Sequence, residues 1–568
     1  MRSMVDYLFL DLRLLSILQA ATIKKSGEEK RTDMSQNMIP GNFAYHLEAK
    51  AAEKPDFTIM TFENGEYPDE VLTYGNIVIN GRKVITLLQD KGIGTGDVFC
   101  LVMRNHPEFV YFLYAAAALG AVMVPVDPRI KSERLHYILK NSGSKGIIFS
   151  GEFMEGVKGP LQDLPDIRVI GVAYKEGFET PVVEEYPNLN EILAGPEAPP
   201  PHKMHDDPDP PVEIIYTSGT TGNPKGVVVR GSRFLSFKQN AEIMWKHSPD
   251  DILYTGLSLT HGNAQGVTMI PSLYLSIPAV ISRKFTKSRL WDICRKYGCT
   301  TFSLLGGMMM GIYSEPPRLD DADNPVRVVI SAGTPRDIWE VFEKRFNVLI
   351  HEWYAAMEGG LAHKPPGVGP IGSFGKPIEG FSEMKVVRED GTETLPGEIG
   401  ELISRDIGRK PVVEYFGNKE ASEQKTQGGW LRSGDMCHRD EQGYFFFDYR
   451  KGGGLRRAGD FIMPEHVEAV IVKHPDVNDV CVYGIPAASG APGESDIVAS
   501  IAPVQGRDID PKSIYLMCVE NLEKNAIPSF LQIVNEIPKT ASEKNLDSVL
   551  REEFTKDADN VYCLEDYT

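Results

Sequence analysis

The sequence predicts an α/β protein, with a large N-terminal domain of parallel-rich sheets, flanking helices and a small β subdomain, followed by a small α+β C-terminal domain. Three observations predict it. Helical and strand-like periodicities alternate from about residue 40 onward. The 568 residues exceed what one hydrophobic core can organise. Three consecutive glycines, Gly452 to Gly454, separate a long α/β stretch from a shorter one of different pattern.

Taken in order, "NFAYHLEAKAAEKP" reads as an amphipathic helix, "DVFCLVMRN" as a buried strand, "PEFVYFLYAAAALGA" as a helix and "VMVPVDP" as the next strand. "RLHYILKNSGSKGIIFSG" passes from helix to strand at a glycine, the crossover of a mostly parallel sheet. The proline-rich "GPEAPPPHKMHDDPDPPVE" is a surface connection inside the large domain. Alternation continues from Val212 to about Asn347, through "YLSIPAVISRKF" and "SRLWDICRKYGCTTFSLL", and "GEIGELISR" and "GYFFFDYR" read as short antiparallel strands. No period of about 20 to 50 residues recurs, which excludes a repeat protein. Beyond the glycines, "PEHVEAVIVKHP", "DVCVYGIP", "DIVASIAPV" and "PKSIYLMCVENL" form the α+β pattern. The expected divisions are a leader, 1–39, a large domain, 40–451, and a small domain, 452–568. The glycine triplet reads as a flexible surface turn or as a hinge.

Acidic residues outnumber basic ones, 79 to 60, and the net charge of −19 argues against a nucleic-acid surface. An anionic ligand must then be met by a local site. The seven cysteines are scattered without a CxxC pair, which suits a reduced, cytoplasmic protein without a structural zinc. In the leader, "YLFLDLRLLSILQAA" is too short to span a bilayer, and Asp11 and Arg13 spoil it as a signal core. It is compatible with a helix lying on a membrane surface, hence with peripheral membrane association. The polar "KKSGEEKRTDMSQN" separates it from everything periodic, so the leader is expected to be disordered or outside the native fold, with Met34 or Met38 as the alternative start. The sequence fixes no oligomeric state; a dimer is compatible with it.

"IIYTSGTTGNPKG", Ile214 to Gly226, places glycines, hydroxyls and Lys225 straight after a strand ending at Tyr216. Backbone N–H groups and hydroxyls gathered in such a turn form a nest for phosphate oxygens, and a lysine adds a point charge. The Walker pattern GxxxxGK[ST] cannot be laid on it.

The full string resembles the phosphate-binding signature of the adenylate-forming superfamily, which comprises acyl-CoA synthetases, adenylation domains and beetle luciferases. The resemblance runs over roughly residues 40 to 550. "LSLTHGNAQG" resembles the acyl-pocket segment around a histidine, "HEWYAAMEGG" the Tyr-Gly-x-Thr-Glu stretch, "WLRSGD" the ribose-binding Gly-Asp, and "PKTASEK" the C-terminal lysine segment. "RKFTKSRLWDICRKYGCTTFSLLGG" and "DNPVRVVISAGTPRDIWEVFEKRF" look most like the very-long-chain acyl-CoA synthetase and fatty-acid transport group, then carnitine-CoA and crotonobetaine-CoA ligases.

The resemblance implies a two-step reaction: a carboxylic acid and ATP give acyl-AMP and pyrophosphate, and coenzyme A then displaces AMP. A carboxylate is already nucleophilic, so positioning and charge neutralisation should supply catalysis. The implied triphosphate contacts are Thr217, Ser218, Gly219, Thr220, Thr221 and Lys225, with Thr217 also counted as catalytic. Gly333, Thr334 and Pro335 resemble the adenine-side turn, and Tyr354 packs on adenine or is a core aromatic. Asp435 binds the ribose, and Arg450 reaches the ribose and phosphates. Glu358 is the implied Mg²⁺ ligand and a catalytic residue. Lys544 is the implied catalytic lysine, brought in by a mobile small domain. His261 lines the acyl pocket, Gly452 is the hinge and Gly459 borders the coenzyme A channel. The expected substrate is a fatty or other hydrophobic acid, and "LLGGMMMG" lines a channel for it or belongs to the core.

Two positions depart from the family pattern. Met357 stands where a phosphate-contacting threonine is usual, and Glu543 replaces the glycine before the lysine. They leave room for two other readings, an adenylating enzyme that loads a carrier protein and a degenerate nucleotide-binding or lipid-uptake protein.

Overall fold

Runs of β-branched and apolar residues, buried on both faces, become the central strands of two parallel-rich sheets. The computed structural model describes residues 42–567, apart from 131, 178–181, 202–203, 218–223, 452–453, 458–459, 488–494 and 541–542. The leader therefore lies outside the described residues, as do Gly452 and Gly459.

In the first sheet the order is Arg168–Ala173, Gly146–Ser150, Val98–Val102, Val122–Val126, Pro211–Tyr216 and Gly226–Arg230. All pairings are parallel except the last, where the chain doubles back. Val98–Val102 and Val122–Val126 are buried at every position, the signature of strands covered on both faces. The second sheet has nine strands with a parallel centre, running from Leu349–Ala356 through Val328–Ala332, Thr301–Leu305, Leu253–Thr255 and Ala279–Ser282 to Thr58–Glu63. Antiparallel strands close both edges. Helix Pro107–Leu119 is apolar all round and buried along its whole length, so it serves as core rather than as a surface layer.

The β subdomain expected from "GEIGELISR" and "GYFFFDYR" is a four-stranded antiparallel sheet of Ser382–Val387, Gly400–Asp406, Leu431–Arg439 and Phe445–Arg450. Residues after the glycine triplet build a further four-stranded sheet, Val477–Pro486, Ser495–Pro503, Phe530–Ile533 and Val561–Cys563. Helices Pro464–Ile471 and Pro511–Asn521 share one hydrophobic core with its strands, and helix Asp547–Glu553 sets Leu550 in a second cluster with Cys481, Tyr483 and Val498. In "LLGGMMMG", Met308 and Met309 are buried in the main core of the large sheet.

Candidate active site

The phosphate-type loop leaves strand Pro211–Tyr216 and returns as Gly226–Arg230. Its base is closed by Thr217, whose N–H donates to the Lys225 carbonyl at 3.0 Å and whose hydroxyl reaches the same oxygen at 3.4 Å. Ser218, Gly219, Thr220 and Thr221 lie outside the described residues. Lys225 is exposed, with its ammonium 5.2 Å from the centre of the Tyr415 ring. Tyr415 in turn donates its hydroxyl to Glu358 Oε1 at 2.7 Å. Burial, then the Glu358 charge, pushes this phenol up. One aromatic ring thus joins the loop lysine to the implied metal ligand. Sequence reading missed Tyr415, because "VVEYFGN" carries no pattern of its own; the residue is placed by backbone pairing, Val228 N–H to Glu414 O at 2.9 Å and Phe416 N–H to Gly226 O at 2.8 Å.

Asp435 and Arg450, named separately from sequence, are direct cross-strand neighbours in the antiparallel pair Leu431–Arg439 and Phe445–Arg450. Arg450 Nη1 donates to Asp435 Oδ1 at 2.6 Å, and Tyr354 donates its hydroxyl to Oδ2. Asp435 is only 4% exposed, so its charge is held by these donors rather than by water. Tyr354 also stacks on Phe374 at 4.7 Å between ring centres, which presents one ring face to a core aromatic.

The adenine-type turn is organised by a residue that sequence reading passed over. Gly333 sits at φ +80°, and Glu352 Oε1 accepts from its N–H at 2.6 Å. The Thr334 N–H and hydroxyl also donate to the Glu352 carboxylate. Burial outweighs these donors and pushes Glu352 up to about 7. A Cβ on Gly306 would stand 1.8 Å from the Gly333 carbonyl, so the missing side chain at Gly306 lets helix Gly306–Tyr313 start against this turn. Glu352 is two residues from Tyr354 within "HEWYAAMEGG", and its alternation with the predicted residue was the available signal.

His261 is partly open to solvent, and its Nδ1 accepts from the Asn263 N–H at 3.2 Å, which leaves the proton on Nε2 in the neutral ring. Desolvation by crowded surroundings, then the Lys544 cation, lowers it to about 4, while Asp127 opposes them. The buried π-helical stretch Ala264–Met269 follows. Met357 fills the space beside Gly262, where a Cβ would meet its sulfur at 2.1 Å. In place of a threonine hydroxyl, the departure at Met357 supplies apolar packing between the His261 segment and Val227, Val413 and Tyr415. Arg233 holds the Met357 carbonyl at 3.2 Å.

Lys544 stands in the turn closed by Thr540 and Lys544, with Thr540 N–H to Lys544 O at 2.8 Å. The residue is exposed, yet protein crowds its ammonium: desolvation and then Arg450 lower its pKa, with Asp435 opposing. Lys544 thus senses Arg450 and Asp435, and His261 senses Lys544, although these residues come from segments far apart in the chain. Lys425, also missed from sequence, donates to the Ser433 carbonyl at 3.1 Å and feels Glu358, Arg450 and Asp435. Among the described residues, no group of three or more His, Cys, Asp or Glu side chains could hold a metal ion.

Comparison with known proteins identifies the family of the chain. The family model described as AMP-binding enzyme matches residues 47–408, and the AMP-binding enzyme C-terminal domain matches 466–544. The chain belongs to the AMP-binding enzyme family, within the adenylate-forming superfamily its motifs resemble, and is an enzyme of that family. A crotonobetaine/carnitine–CoA ligase of Salmonella typhi is 28% identical over 502 residues, 86% of this chain and 95% of the relative. Among solved structures, a benzoate CoA ligase from Burkholderia xenovorans aligns with a TM-score of 0.74 at 21% identity, over 90% of this chain and 99% of that one. The anthranilate CoA ligase AuaEII in complex with anthranoyl-AMP aligns with a TM-score of 0.73 at 22% identity, over 91% and 98%. These likenesses bear out the α/β class with its smaller α+β C-terminal part.

Proposed function

We propose that this enzyme is an ATP-dependent acyl-CoA ligase acting on a fatty or other hydrophobic carboxylic acid. The carboxylate oxygen attacks the α-phosphorus of ATP, the bond to pyrophosphate breaks, and acyl-AMP forms. The thiol of coenzyme A then attacks the acyl carbon and AMP leaves with the bonding pair. The single observation that carries this reading is the convergence of Lys544 with Arg450, Asp435 and His261. A ribose-type carboxylate and a second cation act on one ammonium carried by the C-terminal segment, and that ammonium acts in turn on the His261 ring.

In this scheme Asp435 accepts from ribose hydroxyls, while Arg450 and Lys544 neutralise charge on the α-phosphate. Thr217 and Lys225 belong to the loop for the outer phosphates, with Ser218, Gly219, Thr220 and Thr221 between them. The turn Gly333–Pro335, fixed by Glu352, borders the adenine. Glu358, anchored by Tyr415, fits a divalent cation that arrives with phosphate oxygens, since Mg²⁺ needs only one or two protein oxygens; bound there, the ion would supply charge neutralisation. The boundary at 451/452, the hinge at Gly452 and the channel at Gly459 complete a domain-alternation scheme in which the lysine segment withdraws before coenzyme A enters. Met357 against Gly262 and the buried, mostly apolar stretch after Asn263 support a hydrophobic acyl group. No helix among the described residues is long and apolar enough to cross a membrane.

The test is pyrophosphate release from ATP over a panel of fatty, aromatic, steroidal and betaine acids, with and without coenzyme A, with products identified by mass spectrometry. Acyl-CoA is the expected product. Adenylate without thioester would point to carrier loading, and neither product with any acid would reject the ligase reading.

A further inference from the structure

The turn that carries Lys544 is tied to a distant segment by a contact that no motif predicts. Arg129 follows strand Val122–Val126. Its Nη1 donates to Glu543 Oε1 at 2.8 Å, and its Nη2 to the Thr540 carbonyl at 2.8 Å. The guanidinium is aimed in advance by Asp127, which is 6% exposed and accepts from Nε at 3.2 Å and from Nη2 at 3.0 Å. Two ends of the lysine turn are therefore gripped by one rigid fork, the geometry at which arginine excels.

Glu543 itself is out of place for a side chain of its size. It has φ +57°, and its N–H donates to the Thr540 carbonyl at 2.9 Å, so it occupies the left-handed position that glycine normally takes in such turns. Glycine would make the same turn without strain but would offer Arg129 no carboxylate. The strained residue stands where its charge meets a preoriented cation. The charge of Asp127 is felt by His261, as is that of Lys544, so this contact lies beside the reacting groups.

We propose that Arg129 and Glu543 form a latch that positions Lys544 for the adenylation step, with Arg129 and Glu543 acting as positioning residues through the lysine. The proposal rests on the ligase reading for its consequence, though not for its contact. Because the pair is partly exposed, it can form and break without burying an unpaired charge, as a step-specific contact requires.

Full-length parent, Arg129→Gln, Glu543→Gln and the double variant would be compared in three measurements. The first is the rate at which N-hydroxysuccinimidyl acetate modifies Lys544, read by mass spectrometry. The second is acid-dependent ATP–pyrophosphate exchange, and the third is thioester formation from added acyl-AMP and coenzyme A. Each single variant should label Lys544 about fivefold faster and exchange about fivefold more slowly, with the double variant no worse than either and the thioester step undiminished. Unchanged labelling, or equal losses in both half-reactions, would overturn the latch. Faster labelling in variants of a parent that makes no adenylate from any acid would uphold the contact and remove the ligase reading instead.

Discussion

Two turns assigned to the proposed nucleotide site meet the same steric demand in opposite ways. At Gly333 the backbone adopts φ +80° with no side chain, and the buried carboxylate of Glu352 pins the neighbouring N–H groups. At Glu543 the backbone adopts φ +57° with a full side chain, and a partly exposed arginine holds it. The first arrangement is permanent, since opening it would leave an ionisable group and its donors unpaired inside the protein. The second is reversible, because water can replace either partner. A fixed wall and a movable cation are what the proposed two-step reaction at one centre would require.

The largest effect that tests this contrast is removal of the movable cation. Lys544→Ala should lower adenylation about a thousandfold, as loss of a preorganised charge at a developing anion does, while added acyl-AMP is still converted to thioester. Adenylate formation at the parental rate would end the assignment. Next comes the fixed wall. Glu352 is raised to about 7, so its contribution to stability is fully present below the ordinary carboxylate range and is lost as pH rises through about 7. In denaturant titrations, the stability advantage of the parent over Glu352→Gln should shrink by about 3 kcal/mol between pH 4.5 and 8. A difference constant with pH would show that Glu352 does not titrate there.

Gly333→Ala sharpens the comparison, since a Cβ at this position meets nothing within 4 Å. The expected loss of about 1–2 kcal/mol is then conformational alone, visible as a lower midpoint of thermal unfolding. Smallest is Glu543→Gly, which relieves about 1 kcal/mol of left-handed strain and removes an exposed pair worth about 0–1 kcal/mol. Its unfolding midpoint should hardly move even though adenylation slows, and a large drop in the midpoint would mean that the pair is structural rather than positional.

Much of the fold was legible because its causes are local. Helix Pro107–Leu119, strand Val98–Val102 and the antiparallel strands Gly400–Asp406 and Phe445–Arg450 follow from periodicity within a few residues. The Met308 and Met309 stretch was ambiguous, since methionine serves core and pocket alike, and only packing assigned it to the core. In the candidate site, Asp435, Arg450 and Tyr354, each read from a motif, meet directly, while Lys225 and Glu358 meet only through Tyr415. Tyr415, Glu352 and Lys425 were not read, since each acts through a partner outside any short pattern. Glu543 looked like a defect in a motif until Arg129 stood opposite it.

The sequence alone determined the alternation of elements, the turn positions that call for glycine and the residue types gathered in each motif, because backbone preference and side-chain chemistry are properties of neighbours along the chain. Tertiary structure decided which charges meet. Register set Asp435 against Arg450, and folding brought Arg129 to Glu543 across 414 residues. The pairing energy of two charges depends on separation and desolvation, and both are fixed only once the chain has closed on itself.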